Sequence, residues 1–584
     1  MRLINCVSGC MEEFVGTKIP RYAILSHTWE EEEVTYFEPG SWQDWPATRK
    51  GYRKIELTYH LARERGIYYI WVDTCCIDKK SSAELSEAIN SMYKWYERAE
   101  VCFVYLSDLD QGSTMADLPH CKWITRGWTL QELIAPMTVL FFNWRGDLLG
   151  SKAESTTSIF QATSIAPEIL LQTQSLRSVP VAEKFAWAAH RRTLRIEDIA
   201  YSLLGIFDVN IPLLYGEEHR AFRRLQEEII RTTPDLSIFA WRSPTIPGEQ
   251  STGGQSRYSG VLADSPAVFP REQPILRRPR FGRTELSVTS IGLKTPIQLL
   301  FGAHGMAKTP SYVLPLDCGD HQGNFYGIYL RMCGPNEFVR ENPELLTEYI
   351  EKMHVIGAPG KEHFLLTELP DCDCCRAIGS PSHDFSIGRL RSHALQLSMP
   401  DSMWIFGARP EGSFDYRDQL FFVVDNPEMD LAVFSITERT REFNCMFFAV
   451  GWSNTKGDSP KCTIINRDDF KQAVDDIENV LSTRSIRLSS VLRGLLDAHS
   501  IPMASSTTIS ARNDVVAFTI SFRSSLVEDQ DLCRHPMWKI EFTVDTGPLI
   551  PNDQSPRPRK PPKWQTGRAS SDRLQTSHFT TVQP

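Results

Sequence analysis

The sequence predicts an α/β fold at its N-terminal end, a doubly wound parallel sheet with a helical extension, followed by a β-rich C-terminal domain and a disordered tail. Three observations predict it. Between residues 22 and 144, four short apolar runs alternate with segments of helical period, the pattern of βαβ units around a parallel sheet. From 182 to 231 the period is helical throughout. Beyond 260, short apolar runs recur between turn residues, as in an antiparallel β domain.

The strands are predicted at residues 22–26, 68–73, 101–107 and 138–143, whose near-continuous apolar character suits burial on both faces. Between the first two, Tyr52, Ile55, Tyr59 and Ala62 mark one face of a helix over 52–65, and Gly66 follows as its stop. Leu85, Ala88, Ile89, Met92, Tyr93 and Tyr96 form the stripe of a helix over 82–98, with Ser81 and Glu84 as a capping box. A shorter helix over 127–135 is stopped by Pro136. Together these make a domain over 1–150.

A helical extension, 151–242, follows. Its apolar sets are Phe185, Ala188 and Ala189, then Ile199, Leu203 and Leu204, then Phe222, Leu225 and Ile229, punctuated by Pro212 and Gly216. Residues 243–259 read as a polar linker. The β-rich region, 260–546, carries strand-like runs at 284–291, 312–316, 325–332, 419–424, 431–436, 447–452, 515–522 and 538–544, with a helix at 468–481. The tail, 547–584, is predicted disordered because it is rich in Pro and Lys/Arg and poor in aliphatic residues.

With 63 basic and 72 acidic side chains the net charge is −9, so no global field draws the 584-residue chain to nucleic acid. Six cations in the tail offer only non-specific, salt-sensitive binding. Fourteen Cys are too dilute for a disulfide framework, and Cys75, Cys76, Cys102 and Cys445 sit inside apolar runs, which points to a reducing compartment. The acidic pair Glu12 and Glu13 stands where a secretory signal needs an apolar core. The longest apolar candidate, 203–214, is broken by Asp208, Asn210 and Pro212, so no membrane span is expected. A cytoplasmic location follows as the expectation.

Several chemistries lack their motif. No phosphate-binding loop occurs; residues 357–361 have the wrong spacing and no hydroxyl residue. The zinc-protease, nucleophile-elbow and dinucleotide patterns are missing as well. Cys372, Cys374 and Cys375 crowd three thiols into four positions without a second pair, and Cys6 and Cys10 fare no better, so no metal and no resident cofactor is expected.

Ligands of doubly wound sheets sit beyond the carboxyl ends of the strands. The first run ends in Ser26, His27, Thr28 and Trp29, the second in Asp73 and Thr74, the third in Ser107 and Asp108. Trp128 and Glu132, four apart on the short third helix, share a face while Leu130, Leu133 and Ile134 supply its core side. Glu132 is therefore the candidate catalytic group, with Ser26, His27, Trp29, Asp73 and Trp128 as candidate substrate-binding residues. A carboxylate that holds a ribose can stabilise an oxocarbenium-like state, and a leaving nicotinamide that already bears positive charge needs no general acid. Each residue also has a plainer role. Glu132 can be solvated or paired with Arg126, His27 can bond a neighbouring loop, and Asp73 and Asp78 can cap turns.

Residues 22–29 (YAILSHTW), 69–78 (YIWVDTCCID) and 126–136 (RGWTLQELIAP) resemble the three blocks of the fungal heterokaryon incompatibility (HET) domain. Residues 187–241 resemble the usual extension of such proteins, and 260–266 (GVLADSP) a weaker continuation. The resemblance implies non-self recognition between fungal cells, with growth arrest and programmed cell death after incompatible fusion. It also implies a fold related to Toll/interleukin-receptor (TIR) domains, which are flavodoxin-like. Some of those cleave NAD with a Glu in a W-x-x-x-E pattern, the spacing of Trp128 and Glu132. The chain departs from family members that attach a nucleotide-binding motor and repeat arrays, since neither is visible. Two functions follow as expectations. One is a signalling module that assembles with itself or with other incompatibility proteins; the other is a TIR-like NAD glycohydrolase using Glu132, with NAD as substrate.

Overall fold

The computed structural model describes residues 1–16, 18–35, 50–244, 258–271, 275–278, 285–302, 310–347, 354–356 and 362–369, and, in shorter segments, parts of 395–547. The predicted helix at 468–481, the thiols at 372–375 and residues 548–584 lie outside the described residues.

All four predicted strands of the N-terminal domain form. They are β3 (Ala23–His27), β4 (Tyr69–Trp71), β5 (Val101–Leu106) and β6 (Val139–Asn143). They run parallel in the order β4-β3-β5-β6, with Ala23 opposite both Ile70 and Val101, and Cys102 opposite Val139. The chain leaves β3 toward β4 and leaves β5 toward β6, so the topological switch point lies between β3 and β5. Antiparallel edges extend the sheet: β1 (Arg2–Asn5) and β2 (Met11–Glu13) beside β4, and β7 (Leu148–Ser151) beside β6. Their short, half-polar runs carry too few apolar residues to show the period that marked the central strands.

Helix α1 (Lys50–Glu64) connects β3 to β4, and α2 (Ser82–Arg98) connects β4 to β5. Ser81 accepts the Glu84 amide at 3.3 Å, as a cap should. The predicted reciprocal half of the box is absent: the Glu84 carboxylate accepts the Asp78 amide at 2.8 Å and pairs with Arg2 of β1. A charged partner from the sheet edge outcompetes a local amide there.

Between β5 and β6 lie α3 (Lys122–Thr125) and α4 (Thr129–Ile134). All six residues of α4 are buried, Glu132 among them. The expectation of an outward face on this helix fails because β3, α2 and α6 (Pro167–Leu170) enclose it. Around it Trp71, Tyr96, Phe103, Trp123 and Phe141 are almost wholly buried. Trp123 meets Phe141, and Trp71 meets Tyr96, edge to face at 5.8 Å.

The helical extension comprises α5 (Thr156–Thr163), α6, α7 (Val181–Ala188), α8 (Asp198–Tyr201), α9 (Leu204–Phe207) and α10 (Arg220–Thr232). Helices α2 and α9 approach so closely that a Cβ on Gly205 would stand 2.1 Å from the Tyr93 Cβ.

The β-rich region opens with a sheet built around β13 (Ser311–Gly319), β14 (Phe325–Gly334) and β15 (Glu337–Glu341). Strand β8 (Tyr258–Ser259) pairs with β15, so the end of the predicted linker belongs to this sheet. The reason is Tyr258, which is buried with Cys333, Val339 and Leu366. Further strands cover most of the predicted runs, the longest being Arg441–Trp452, Ala517–Val527 and Met537–Gly547. The pairing is not purely antiparallel, since β15 runs parallel to His363–Leu365. One buried apolar cluster extends from Leu3 to Leu365 and so joins the sheet, the extension and the first β-rich sheet. No helix among the described residues is long and apolar enough to cross a membrane.

Candidate functional site

The ends of β3 and β5 meet at the switch point, with His27 opposite Tyr105. Ser26 is the last wholly buried position of β3 that carries a hydroxyl. It accepts the Trp123 indole N–H at 2.7 Å and donates to the Glu132 carboxyl. Tyr96 donates its hydroxyl to the Leu25 carbonyl at 3.0 Å. The same phenol lies beside Glu132 and favours its ionised form.

Burial, and then the charge of Asp73, push the Glu132 carboxyl up to about 7; Ser26, Arg126 and Tyr96 oppose them. Near neutrality this group stands between acid and carboxylate. A buried carboxyl so balanced at a sheet's strand ends suits acid-base or charge-stabilising work.

The next residue, His27, is 4% exposed and has neither ring nitrogen hydrogen-bonded among the described residues. Its Nε2 lies 3.7 Å from Asp73 Oδ1 and 3.9 Å from Glu33 Oε2, too far for a direct bond. Asp73 Oδ1 is likewise without a hydrogen-bond partner, whereas Oδ2 accepts the Trp29 indole N–H at 2.7 Å. Burial, reinforced by Lys54, Arg126 and Lys79, pushes the imidazole well below its usual range and keeps it neutral. Two buried polar groups therefore face each other across a gap that a hydroxyl could bridge.

Trp29 roofs this gap and is 39% exposed. The Lys79 ammonium stands 3.5 Å from its ring centroid and the Arg126 guanidinium 5.1 Å. Arg126 also reaches the His27 carbonyl at 3.4 Å. Beneath, buried Lys54 donates to the Thr28 carbonyl at 3.1 Å and pairs with Glu33, which fixes the turn that presents Trp29.

Ser26, His27, Trp29, Asp73 and Glu132 thus converge. The Trp128 indole instead donates to Asp198 of α8 and so ties the start of α4 to the helical extension. Tyr96, Trp123, Lys54, Lys79 and Arg191 were not predicted from sequence. Tyr96 was legible as core, and a buried phenol needs a partner. Arg191 gave no signal; it lies 62 residues beyond Thr129, whose hydroxyl it reaches at 2.9 Å, and it also holds the Arg126 carbonyl at 2.8 Å. Among the described residues no group of His, Cys, Asp and Glu is arranged to hold a metal ion.

Residues 22–120 match the model of the heterokaryon incompatibility protein (HET) family, and residues 220–266 match a domain of unknown function, DUF8212. Over 260 residues the chain is 47% identical to the vegetative incompatibility protein HET-E-1 of Podospora anserina, a match covering 42% of this chain and 19% of that relative. The chain therefore spans only a small part of that relative's length. No solved structure matches it. Ser26, His27, Trp29 and Asp73 all lie within the residues matched by the family, and the chain carries a HET domain there.

Proposed function

We propose that the chain acts in fungal vegetative incompatibility, as a non-self recognition protein whose HET domain triggers programmed cell death when it assembles with itself or with other incompatibility proteins. The observation that carries this is the joint match of residues 22–120 to the HET family and of 260 residues to a vegetative incompatibility protein.

A second reading concerns how the signal is made, and a specific observation favours it. Glu132 is a buried carboxyl held near neutrality at a switch point, beside orphaned His27 and Asp73. That arrangement supports a TIR-like NAD glycohydrolase. In it the N-glycosidic bond breaks with its electron pair passing to the pyridinium nitrogen, which leaves as neutral nicotinamide. The Glu132 carboxylate stabilises the positive charge that builds on the ribose, and water takes C1′ and loses a proton. A ribose hydroxyl that reaches this pair accepts from the His27 Nε2–H and donates to Asp73 Oδ1. The ionised form of Glu132 is the active one, so the rate rises with pH through about 7.

The test is nicotinamide release from NAD by the full chain at high concentration, beside Glu132→Gln. Catalysis predicts turnover that rises between pH 6 and 8 and falls at least a hundredfold in the variant. Undetectable turnover by a folded chain, with Glu132→Gln still provoking death in fungal cells, leaves assembly alone as the mechanism.

A further inference from the structure

A cavity of about 1340 Å³ lies where the three parts of the molecule meet, and neither Ser26, His27, Asp73 nor Glu132 lines it. Its walls come from α2, from the end of α4 through Ile134, from α7 and α9, and from Arg277 and Asp317 of the β-rich region. That volume exceeds what a drug-sized ligand needs.

The charges on these walls are not all matched. Arg177 pairs with Asp208 at 2.7 Å and Arg277 with Asp235 at 2.7 Å. Asp235 is further occupied by the amides of Val181 at 3.1 Å and Ser237 at 3.0 Å. Lys184 of α7 is 7% exposed, yet its ammonium donates no hydrogen bond to any described residue. The Phe207 ring centroid lies 5.2 Å from the ammonium. Burial pushes this amine down to about 8, with Asp235 and Asp208 opposing and Arg277 and Arg177 adding to the fall. A cation so placed gains from any anion that enters. Beside it Tyr93, Leu176, Ile206 and Phe207 offer an apolar and aromatic wall.

We propose that this cavity is a binding site for an organic anion, an aromatic or apolar body bearing one carboxylate or phosphate group, with Lys184 holding the anionic group. The reading is independent of the chemistry at Glu132. The site nevertheless touches the same helix: Gln172, on the cavity wall, donates to the Ile134 and Ala135 carbonyls at 3.3 and 2.9 Å and closes the end of α4.

The experiment is calorimetric titration of the full chain with 2-naphthoate and with 1-naphthyl phosphate, and with neutral 2-naphthol and inorganic phosphate as comparisons. Saturable one-to-one binding of a naphthyl anion is expected, at least tenfold tighter than 2-naphthol or inorganic phosphate. Which anion binds better decides between the two head groups. Lys184→Met should weaken the anion at least tenfold while Lys184→Arg retains it. Leu176→Trp, which fills the cavity and keeps the lysine, should abolish binding and covers the case in which Lys184→Met does not fold. No saturable binding of either anion to the unaltered chain, equal binding of 2-naphthol, or unchanged affinity in Lys184→Met or Leu176→Trp would overturn the proposal.

Discussion

Arg340 in the β-rich sheet and Glu132 in the parallel sheet are both buried ionisable groups, and they differ in what surrounds them. The Arg340 guanidinium lies 3.8 Å over the Trp241 ring and donates to the carbonyls of Phe239 at 3.0 Å and Trp241 at 2.5 Å. It joins the end of the helical extension to β15 through these two terminal nitrogens, while its Nε is without a hydrogen-bond partner among the described residues. Glu132 is held by Ser26 and Tyr96, but its neighbours His27 and Asp73 keep unpaired atoms. What separates them is the reach of the group: Arg340 bonds the backbone of a second element and so acts as a joint, whereas Glu132 stands at the strand ends beside two further side chains, His27 and Asp73, that keep unpaired atoms.

The largest test of this contrast is Arg340→Met. It leaves two buried carbonyls without donors, so a loss of about 2–6 kcal/mol is expected in urea unfolding; a loss below about 1 kcal/mol would show that the joint is not structural.

Glu132→Gln should act the other way. The carboxyl's folded value, about 7, lies above its ordinary 4.5. The folded chain therefore holds this proton more tightly than the unfolded chain does. Its stability contribution is full below about 4.5, declines as pH rises from there, and is lost above about 7. At pH 8 the variant should exceed the unaltered chain by on the order of 3 kcal/mol, a gain that disappears at pH 4. Thermal unfolding across that range reads it, and a difference independent of pH would mean that the folded and unfolded chains hold the Glu132 proton equally.

Ser81→Ala lies outside both centres. It removes an ordinary helix cap, and chemical denaturation should show a cost of about 1 kcal/mol with no pH dependence between 5 and 8. The smallest effect belongs to Asp73→Asn. It removes the charge that helps hold the Glu132 proton, so the midpoint of the Glu132 titration, followed by carboxyl infrared absorption, should move down. A midpoint that stays in place would remove Asp73 from the electrostatics of the site.

Much of this architecture was legible in residues. The four central strands were readable because burial on both faces leaves unbroken apolar runs. Helix α2 was readable because its stripe and Ser81 agree on where it starts. The rim formed by Ser26, His27, Trp29 and Asp73 followed from the rule that such sheets bind at their strand ends. What misled was α4. Six residues with an apparent polar side look amphipathic, and only the packing of β3, α2 and α6 shows that no side faces solvent. The partner of the Trp128 indole was hidden for a similar reason, since Asp198, to which it donates, stands 70 residues further along the chain.

The sequence by itself determined the order and kind of the N-terminal elements and the set of side chains at their ends, because periodicity and strand termini are local properties of the chain. Only the tertiary structure decided which of those side chains are satisfied. Whether His27 finds a partner, whether Glu132 keeps its proton and whether Lys184 meets a counter-charge depend on groups that arrive from distant segments, and on the exclusion of water that their packing creates.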